Sequence, residues 1–159
     1  GTFFSEKLRN IILNNKSNIS NLEEILLLMA ARYNHINNII LPNIKKGKIV
    51  ISDRFADSTF VYQGFVNGFG VNRLKKLHSD MLNNYYPDYT FIFNLSINEI
   101  IKRLKKRKIK NKYDRTSLNF HKKVIAGYKK ISVSKRYINI DASLSKEMIH
   151  KNILNLLNI

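Results

Sequence analysis

The chain lacks cysteine and tryptophan, and it has two prolines and six glycines in 159 residues. Without cysteine it can form no disulfide and no thiolate site, which is typical of a reducing cytoplasm. No apolar run approaches the roughly 20 residues of a membrane span. The first residues also lack the basic region and apolar core of a signal peptide. We therefore expect a cytoplasmic protein without a membrane segment, folded as one domain over residues 1–159.

Acidic residues are also scarce, with 11 Asp and Glu against 28 Lys and Arg and a formal net charge of +17. This excess raises the alternative of a basic nucleic-acid-binding module. The chain is rich in Asn, Ile and Lys, a bias typical of A/T-rich coding sequence. Its basic residues are spread widely along the sequence. Such a module would interleave aromatic and basic residues on one surface. Most aromatic residues here instead occupy positions whose spacing predicts burial in the core. We expect no dedicated nucleic-acid partner.

One stretch organises the rest of the sequence. The β-branched run at 48–52 predicts a strand buried on both faces, and Asp53 and Arg54 follow at its carboxyl end. Ligands of open α/β sheets bind at that end of the strands. An Asp can hold a hydrated Mg²⁺ or accept a proton, and an Arg can bind a phosphate through its planar fork of donors. An Asp-Arg pair alone is more often a surface salt bridge.

Four residues with hydroxyl or amide groups follow in a predicted turn, namely Ser58, Thr59, Tyr62 and Gln63. Such groups suit a pocket that binds a nucleobase and a sugar. The whole string at 53–64, Asp-Arg-aromatic-x-x-Ser-Thr-x-x-Tyr-Gln-Gly, resembles the acceptor-site signature of bacterial thymidylate (dTMP) kinases. The resemblance implies transfer of a phosphoryl group from ATP to dTMP, giving dTDP and ADP in dTTP biosynthesis. Another nucleoside monophosphate kinase is the alternative that the fold alone would allow.

The predicted elements alternate along the chain and indicate an α/β fold, a parallel sheet with helices on both faces. By the resemblance this is the P-loop nucleoside monophosphate kinase fold. The predicted helices are 5–14, 22–40 (stopped by Pro42), 72–83, 97–106 and 146–157, and the predicted strands are 48–52, 89–95 and 135–140.

Arg32 interrupts the apolar pattern of the second predicted helix. The predicted core stripe of that helix is Leu26, Met29, Ala30, Tyr33 and Ile36. From spacing alone, Arg32 is as readily a snorkelling surface residue as a functional one. However, Ala30-Ala31-Arg32 resembles the family's Ala-(Ala/Asp)-Arg, whose Arg donates to the thymine. Leu28 stands where members often carry an aromatic residue that stacks on the base.

The resemblance also implies roles for other residues. Arg54 holds the acceptor phosphate, and Asp53 organises the Mg²⁺ shell, through water, or the attacking oxygen. Arg32, Ser58 and Thr59 contact the base, while Tyr62 and Gln63 border the sugar and base. A lid at about 105–115 brings charge onto the phosphates, and Asp141 and Ala142 border the adenine of ATP. The lid candidates are Arg103, Arg107 and Arg115. A homodimer is expected from the family.

The sequence contains no phosphate loop. None of its six glycines begins the pattern Gly-x-x-x-x-Gly-Lys-Ser/Thr, whose backbone amides and lysine bind ATP phosphates. The resemblance starts at Gly1, and we expect that a first βαβ unit of at least roughly 30 residues is missing. The chain is thus expected to be a fragment of the kinase that is inactive in transfer by itself.

Overall fold

The structure is a computed structural model that describes residues 1–14, 17–106 and 116–158. These residues form ten helical segments and two strands. The helices are α1 (Phe3–Leu13), α2 (Asn21–His35), a first π-helix (Ile36–Ile40), α3 (Leu41–Ile44), α4 (Ala56–Thr59), a second π-helix (Phe60–Val66), α5 (Val71–Leu82), α6 (Ile97–Lys106), α7 (Leu118–Ile131) and α8 (Lys146–Leu157), and the strands are β1 (Thr90–Asn94) and β2 (Tyr137–Asp141).

The described residues divide into two compact units. The first contains residues 1–86 and 116–131, and the second contains residues 87–106 and 132–158. The prediction of a single domain over the whole chain stays a prediction. In the parts of the chain that the structure describes, no helix has the length and apolarity needed to cross a membrane.

Helix α2 begins at Asn21, one residue earlier than predicted, and its N-cap is Ser20. Ser20 accepts a hydrogen bond from the Glu23 backbone N–H, and the Glu23 side chain accepts one from the Ser20 backbone N–H. This reciprocal capping box pairs two amides at the helix start. The prediction that Pro42 stops the helix is wrong, because the first π-helix intervenes and Pro42 lies in the first turn of α3. At such a first turn, proline's missing N–H removes no helical bond.

The predicted core stripe of α2 is partly wrong. Met29 and Ile36 are buried as predicted, but Leu26 and Tyr33 are 49% and 57% exposed. Ile25, which is fully buried, joins the core instead. Residues 25–29 are all apolar, so their composition does not specify which face turns inward; packing against α5 and the second π-helix decides it.

The strand predicted at 48–52 does not form. These residues have no regular secondary structure, and Ile49 and Ile51 are 75% and 92% exposed. A β-branched run becomes a strand only when a neighbouring strand pairs with it and a core covers it. The one sheet among the described residues joins β1 to β2 and does not include this segment.

The segment predicted as a polar turn is helical. Residues 56–59 form α4, and the chain continues without a break into the second π-helix. π-Helices are rare and are frequent at functional sites. The helix directs Thr59 and Gln63, which are four residues apart, toward the same face, and both are buried at 2% exposure.

The second unit confirms the α/β class with parallel strands. β1 pairs in parallel with β2, in a register that runs from Thr90 opposite Tyr137 to Asn94 opposite Asp141. The connection between two parallel strands requires a crossover, and α6 lies in that connection. The bounds of α6 and α8 are as predicted, since Ser96 and Ser145 accept backbone N–H bonds at their starts.

Helix α7 packs closely on the second π-helix at Gly127. A Cβ atom added there would lie 2.9 Å from Val61 Cγ1 and 3.0 Å from Phe65 Cδ1. We expect Gly127→Ala to lower the free energy of unfolding by about 1–3 kcal/mol, because Val61 is fully buried and cannot move aside freely. Thermal melting against the wild type measures this. An unchanged melting temperature would mean that the two helices are not in this close contact.

Candidate functional site

Arg32 on α2 reaches Thr59 at the end of α4. Its Nη2 donates to Thr59 Oγ1 at 2.7 Å, and its Nη1 approaches Met29 Sδ at 3.6 Å. The guanidinium also lies 5.5 Å from the centroid of the Phe55 ring. Arg32 is only 9% exposed, so the interpretation as a snorkelling surface residue is wrong. Two residues that the sequence predicted for base contact, 27 positions apart, are therefore in direct contact.

The burial of Arg32 changes its chemistry. Desolvation lowers the pKa of Arg32 to about 10, while the nearby charge of Asp57 and the Tyr86 hydroxyl act in the opposite direction. Arg32 nevertheless remains cationic at neutral pH. Asp57 is itself buried, at 4% exposure, and sequence reasoning missed it. The available signal was its place in the first turn of α4, inside the 53–64 string.

Arg54 has a backbone conformation that is unusual for its residue type. Its φ is 68°, in the left-handed region that non-glycine residues rarely adopt. Such positions cluster at active sites and ligand clamps. The guanidinium lies 5.4 Å from the centroid of the Tyr62 ring. Partial burial acts to lower the pKa of Arg54, but Tyr62, Tyr128 and Asp53 outweigh it and raise the pKa above its usual value.

Ser58 is bound to a residue far along the chain. Its hydroxyl lies 3.0 Å from the Tyr128 hydroxyl on α7. Burial raises the pKa of Tyr128, against the lowering effects of the Ser58 hydrogen bond and the Arg54 charge. Tyr128 therefore presents a neutral hydroxyl next to two of the predicted site residues.

Gln63 is held by a buried carboxylate. Its Nε2 donates to Glu24 Oε1 at 2.9 Å, and Glu24 is only 5% exposed. The sequence placed Glu24 in the first turn of α2, where a carboxylate favours the helix dipole. Neighbouring Glu23 does the capping instead. Nothing in the local sequence distinguishes the exposed glutamate from the buried one.

These residues combine two kinds of chemistry in the first unit. Arg54 offers a planar fork of donors suited to a phosphate, and exposed Asp53 precedes it with a carboxylate. The hydroxyls of Thr59 and Ser58 and the amide of Gln63 suit the polar edge of a base. The first unit therefore contains charged groups suited to an anion and uncharged polar groups suited to a base.

A second group of predicted residues lies in the second unit. Arg103 on α6 donates from Nε to Glu99 at 3.0 Å and from Nη2 to the Ala142 carbonyl at 3.0 Å. Asp141 accepts from the Ser143 backbone N–H and hydroxyl, which lowers its pKa. Asp141 and Leu144 also line a pocket of about 360 Å³ between β2 and α8. The structure thus joins Arg103 to the pair predicted to border adenine.

Other predictions lie outside the described residues. Arg107 and Arg115, and most of the predicted lid at 105–115, fall in that category. Within the described ranges, no group of three or more His, Cys, Asp or Glu side chains could hold a metal ion. The exposed carboxylate of Asp53 is compatible with one mode of Mg²⁺ binding, in which a single carboxylate acts on an ion that keeps waters and substrate phosphates as its other ligands.

Comparison with known proteins gives the family. The family model described as thymidylate kinase matches residues 1–153. The chain belongs to the thymidylate kinase family. It is 40% identical over 155 residues to the thymidylate kinase of Mycoplasma mobile, covering 95% of this chain and 74% of that protein. It is 41% identical over 134 residues to that of the Wolbachia endosymbiont of Brugia malayi, covering 84% and 62%.

A more distant thymidylate kinase spans almost the whole chain. The Bacillus velezensis protein is 34% identical over 163 aligned positions, covering 99% of this chain and 77% of that protein. The family match and these relatives confirm the recognition that was based on the 53–64 string. The family also agrees with the α/β fold class predicted from the alternating elements. The site residues themselves stay predictions.

Proposed function

We propose that this chain carries the dTMP site of a thymidylate kinase, an enzyme that transfers the γ-phosphoryl group of ATP to dTMP and yields dTDP and ADP for nucleotide biosynthesis. The observation that supports it most is the buried hydrogen bond from Arg32 to Thr59. It joins two base-contacting candidates from separate helices, in a chain that matches the family over residues 1–153.

The base is bound on the wall formed by α2 and α4. Arg32 donates to a carbonyl oxygen of thymine, and Ser58 and Thr59 supply hydroxyls beside it. Tyr62 and Gln63 border the sugar and the base. A base with the wrong donors and acceptors leaves these buried groups unpaired, which costs about 1–3 kcal/mol per group. Selection of dTMP follows from that cost.

The acceptor phosphate is bound by Arg54. Phosphoryl transfer depends chiefly on positioning the reactants and on neutralising charge on the transferred group. The left-handed backbone at Arg54 turns its side chain toward Tyr62, which restricts its position. Mg²⁺, when bound, neutralises charge on the ATP phosphates. Asp53 acts on its water shell or on the attacking oxygen.

The donor side lies elsewhere in the chain. Asp141 and Ala142 border the adenine, and Asp141 also lines the pocket between β2 and α8. Arg103 supplies charge to the phosphates by exchanging its bonds with Glu99 and the Ala142 carbonyl, and Arg107 and Arg115 act with it. Binding the ATP phosphates also requires a phosphate loop, and the 159 residues contain no such motif. We place the reaction in the cytoplasm, in a homodimer.

Substrate choice tests this function. The protein expressed from its full reading frame should phosphorylate dTMP at least about tenfold more efficiently than AMP, dGMP or dCMP. A coupled assay of ADP release with each acceptor, at equal ATP and Mg²⁺, measures this. Equal use of AMP and dTMP would indicate a general nucleoside monophosphate kinase and would contradict the proposal.

A further inference from the structure

We propose that Glu24 is a specificity-determining positioning residue that fixes which end of the Gln63 amide faces a bound base. The inference rests on the proposed function, since it assigns the orientation of one residue in the dTMP site. Glu24 acts through Gln63 and does not itself contact the substrate.

The contact is buried and well formed. Gln63 Nε2 lies 2.9 Å from Glu24 Oε1, and the two residues are 2% and 5% exposed. Glutamate is almost never buried to this extent without a partner. The capping role that would explain a glutamate at the start of α2 belongs to exposed Glu23. Gln63 is thus one polar partner of this buried glutamate.

The same two helices are joined at several points. Asn21 Nδ2 donates to the Gln63 carbonyl at 3.4 Å, and Asn67 Nδ2 donates to Asn21 Oδ1 at 3.1 Å. Glu24 and Arg32 lie eight residues apart on α2, while their partners Gln63 and Thr59 lie four residues apart. Two buried charged side chains of α2 thus each bind one proposed base contact. Arg32 binds Thr59 at the end of α4, and Glu24 binds Gln63 in the second π-helix, a rare element.

The chemistry of the pair sets the orientation of the amide. A glutamine amide has a carbonyl acceptor and an NH₂ donor of nearly the same shape, so reversing it reverses the pattern that a base meets. A carboxylate only accepts hydrogen bonds, so Glu24 selects the orientation with the NH₂ group toward α2. Thymine has a donor at N3 and an acceptor at O4, and 5-methylcytosine has the reverse with the same shape. Glu24 therefore contributes to discrimination between dTMP and 5-methyl-dCMP.

The variant Glu24→Gln tests this with almost no change of shape. Its amide can both donate and accept, so either orientation of the Gln63 amide is satisfied. In the protein from the full reading frame, the ratio of kcat/KM for dTMP to that for 5-methyl-dCMP should fall roughly tenfold. Glu23→Gln, the same chemical change one residue away on the exposed side, is the matched control and should leave the ratio unchanged.

A second background tests whether Glu24 acts through Gln63. Gln63→Ala should lower the ratio by a similar factor, and adding Glu24→Gln to it should lower the ratio no further, because coupled residues are non-additive. The inference is overturned if Glu24→Gln keeps the wild-type ratio of kcat/KM for dTMP to that for 5-methyl-dCMP. It is also overturned if Glu24→Gln lowers this ratio equally in the wild type and in Gln63→Ala. If Glu24→Gln does not fold, an unchanged ratio in Gln63→Ala alone overturns it. The preference of the wild type for dTMP over AMP reports separately on the proposed function.

Discussion

Replacing Arg32 with alanine should lower kcat/KM for dTMP roughly a hundredfold. A buried, charged hydrogen-bond donor that contacts the base contributes about 3 kcal/mol, and its removal also leaves Asp57 buried without this neighbouring positive charge. Arg32→Lys keeps the charge but loses the planar fork, so it should recover part of the loss. Steady-state kinetics on the protein from the full reading frame, with dTMP varied at saturating ATP, measure both variants.

The control for this prediction is Arg9→Ala. Arg9 is an exposed residue on α1, so its loss removes one positive charge without touching the site. Its kcat/KM should stay close to that of the wild type. Melting curves of all variants show whether the Arg32 variants remain folded. A folded Arg32→Ala protein with wild-type kcat/KM would remove Arg32 from the dTMP site.

Replacing Arg54 with glycine should lower kcat about 10²–10³-fold, because in the proposed mechanism the guanidinium neutralises charge that develops on the phosphate. Glycine is chosen because it adopts the φ of 68° without strain, so the loss belongs to the side chain and not to the backbone. Asn84→Gly is the matched control, since Asn84 also has a positive φ, of 54°, but lies outside the site. We expect that control to keep full activity.

Kinetics and melting together decide the Arg54 prediction. A loss confined to KM would mean that Arg54 binds the ground state of dTMP and not the transition state. A folded Arg54→Gly protein with unchanged kcat and KM would show that the phosphate is bound elsewhere. A loss of similar size in Asn84→Gly would attribute the effect to the glycine substitution itself.

Helix ends and periodic faces could be predicted where the signal is local. α6 and α8 have the predicted bounds because a serine caps each start and polar and apolar positions alternate clearly along both. The prediction of a strand at 48–52 was wrong because strand formation depends on a pairing partner, which a local run of residues cannot reveal. The predicted inward face of α2 was partly wrong because residues 25–29 are all apolar and so place apolar side chains on every face of the helix.

The site divides in the same way. The 53–64 string indicated Thr59 and Gln63, and the Ala30-Ala31-Arg32 resemblance indicated Arg32. In the structure Arg32 donates a hydrogen bond to Thr59. The sequence could not indicate that a π-helix would direct Thr59 and Gln63 to one face, since that geometry depends on packing against α5 and α7. It also could not separate buried Glu24 from exposed Glu23. Partners that lie 39 residues apart, as Glu24 and Gln63 do, leave no local pattern.

A crystal structure of the protein with dTMP tests the central claim most directly. The account predicts that the thymine lies against α2 and α4, with Arg32 within about 3 Å of a carbonyl oxygen of the base. It also predicts that the Arg54 guanidinium binds the 5′-phosphate. A nucleotide bound away from this wall, or one whose phosphate contacts neither Arg54 nor its neighbours, would contradict the account.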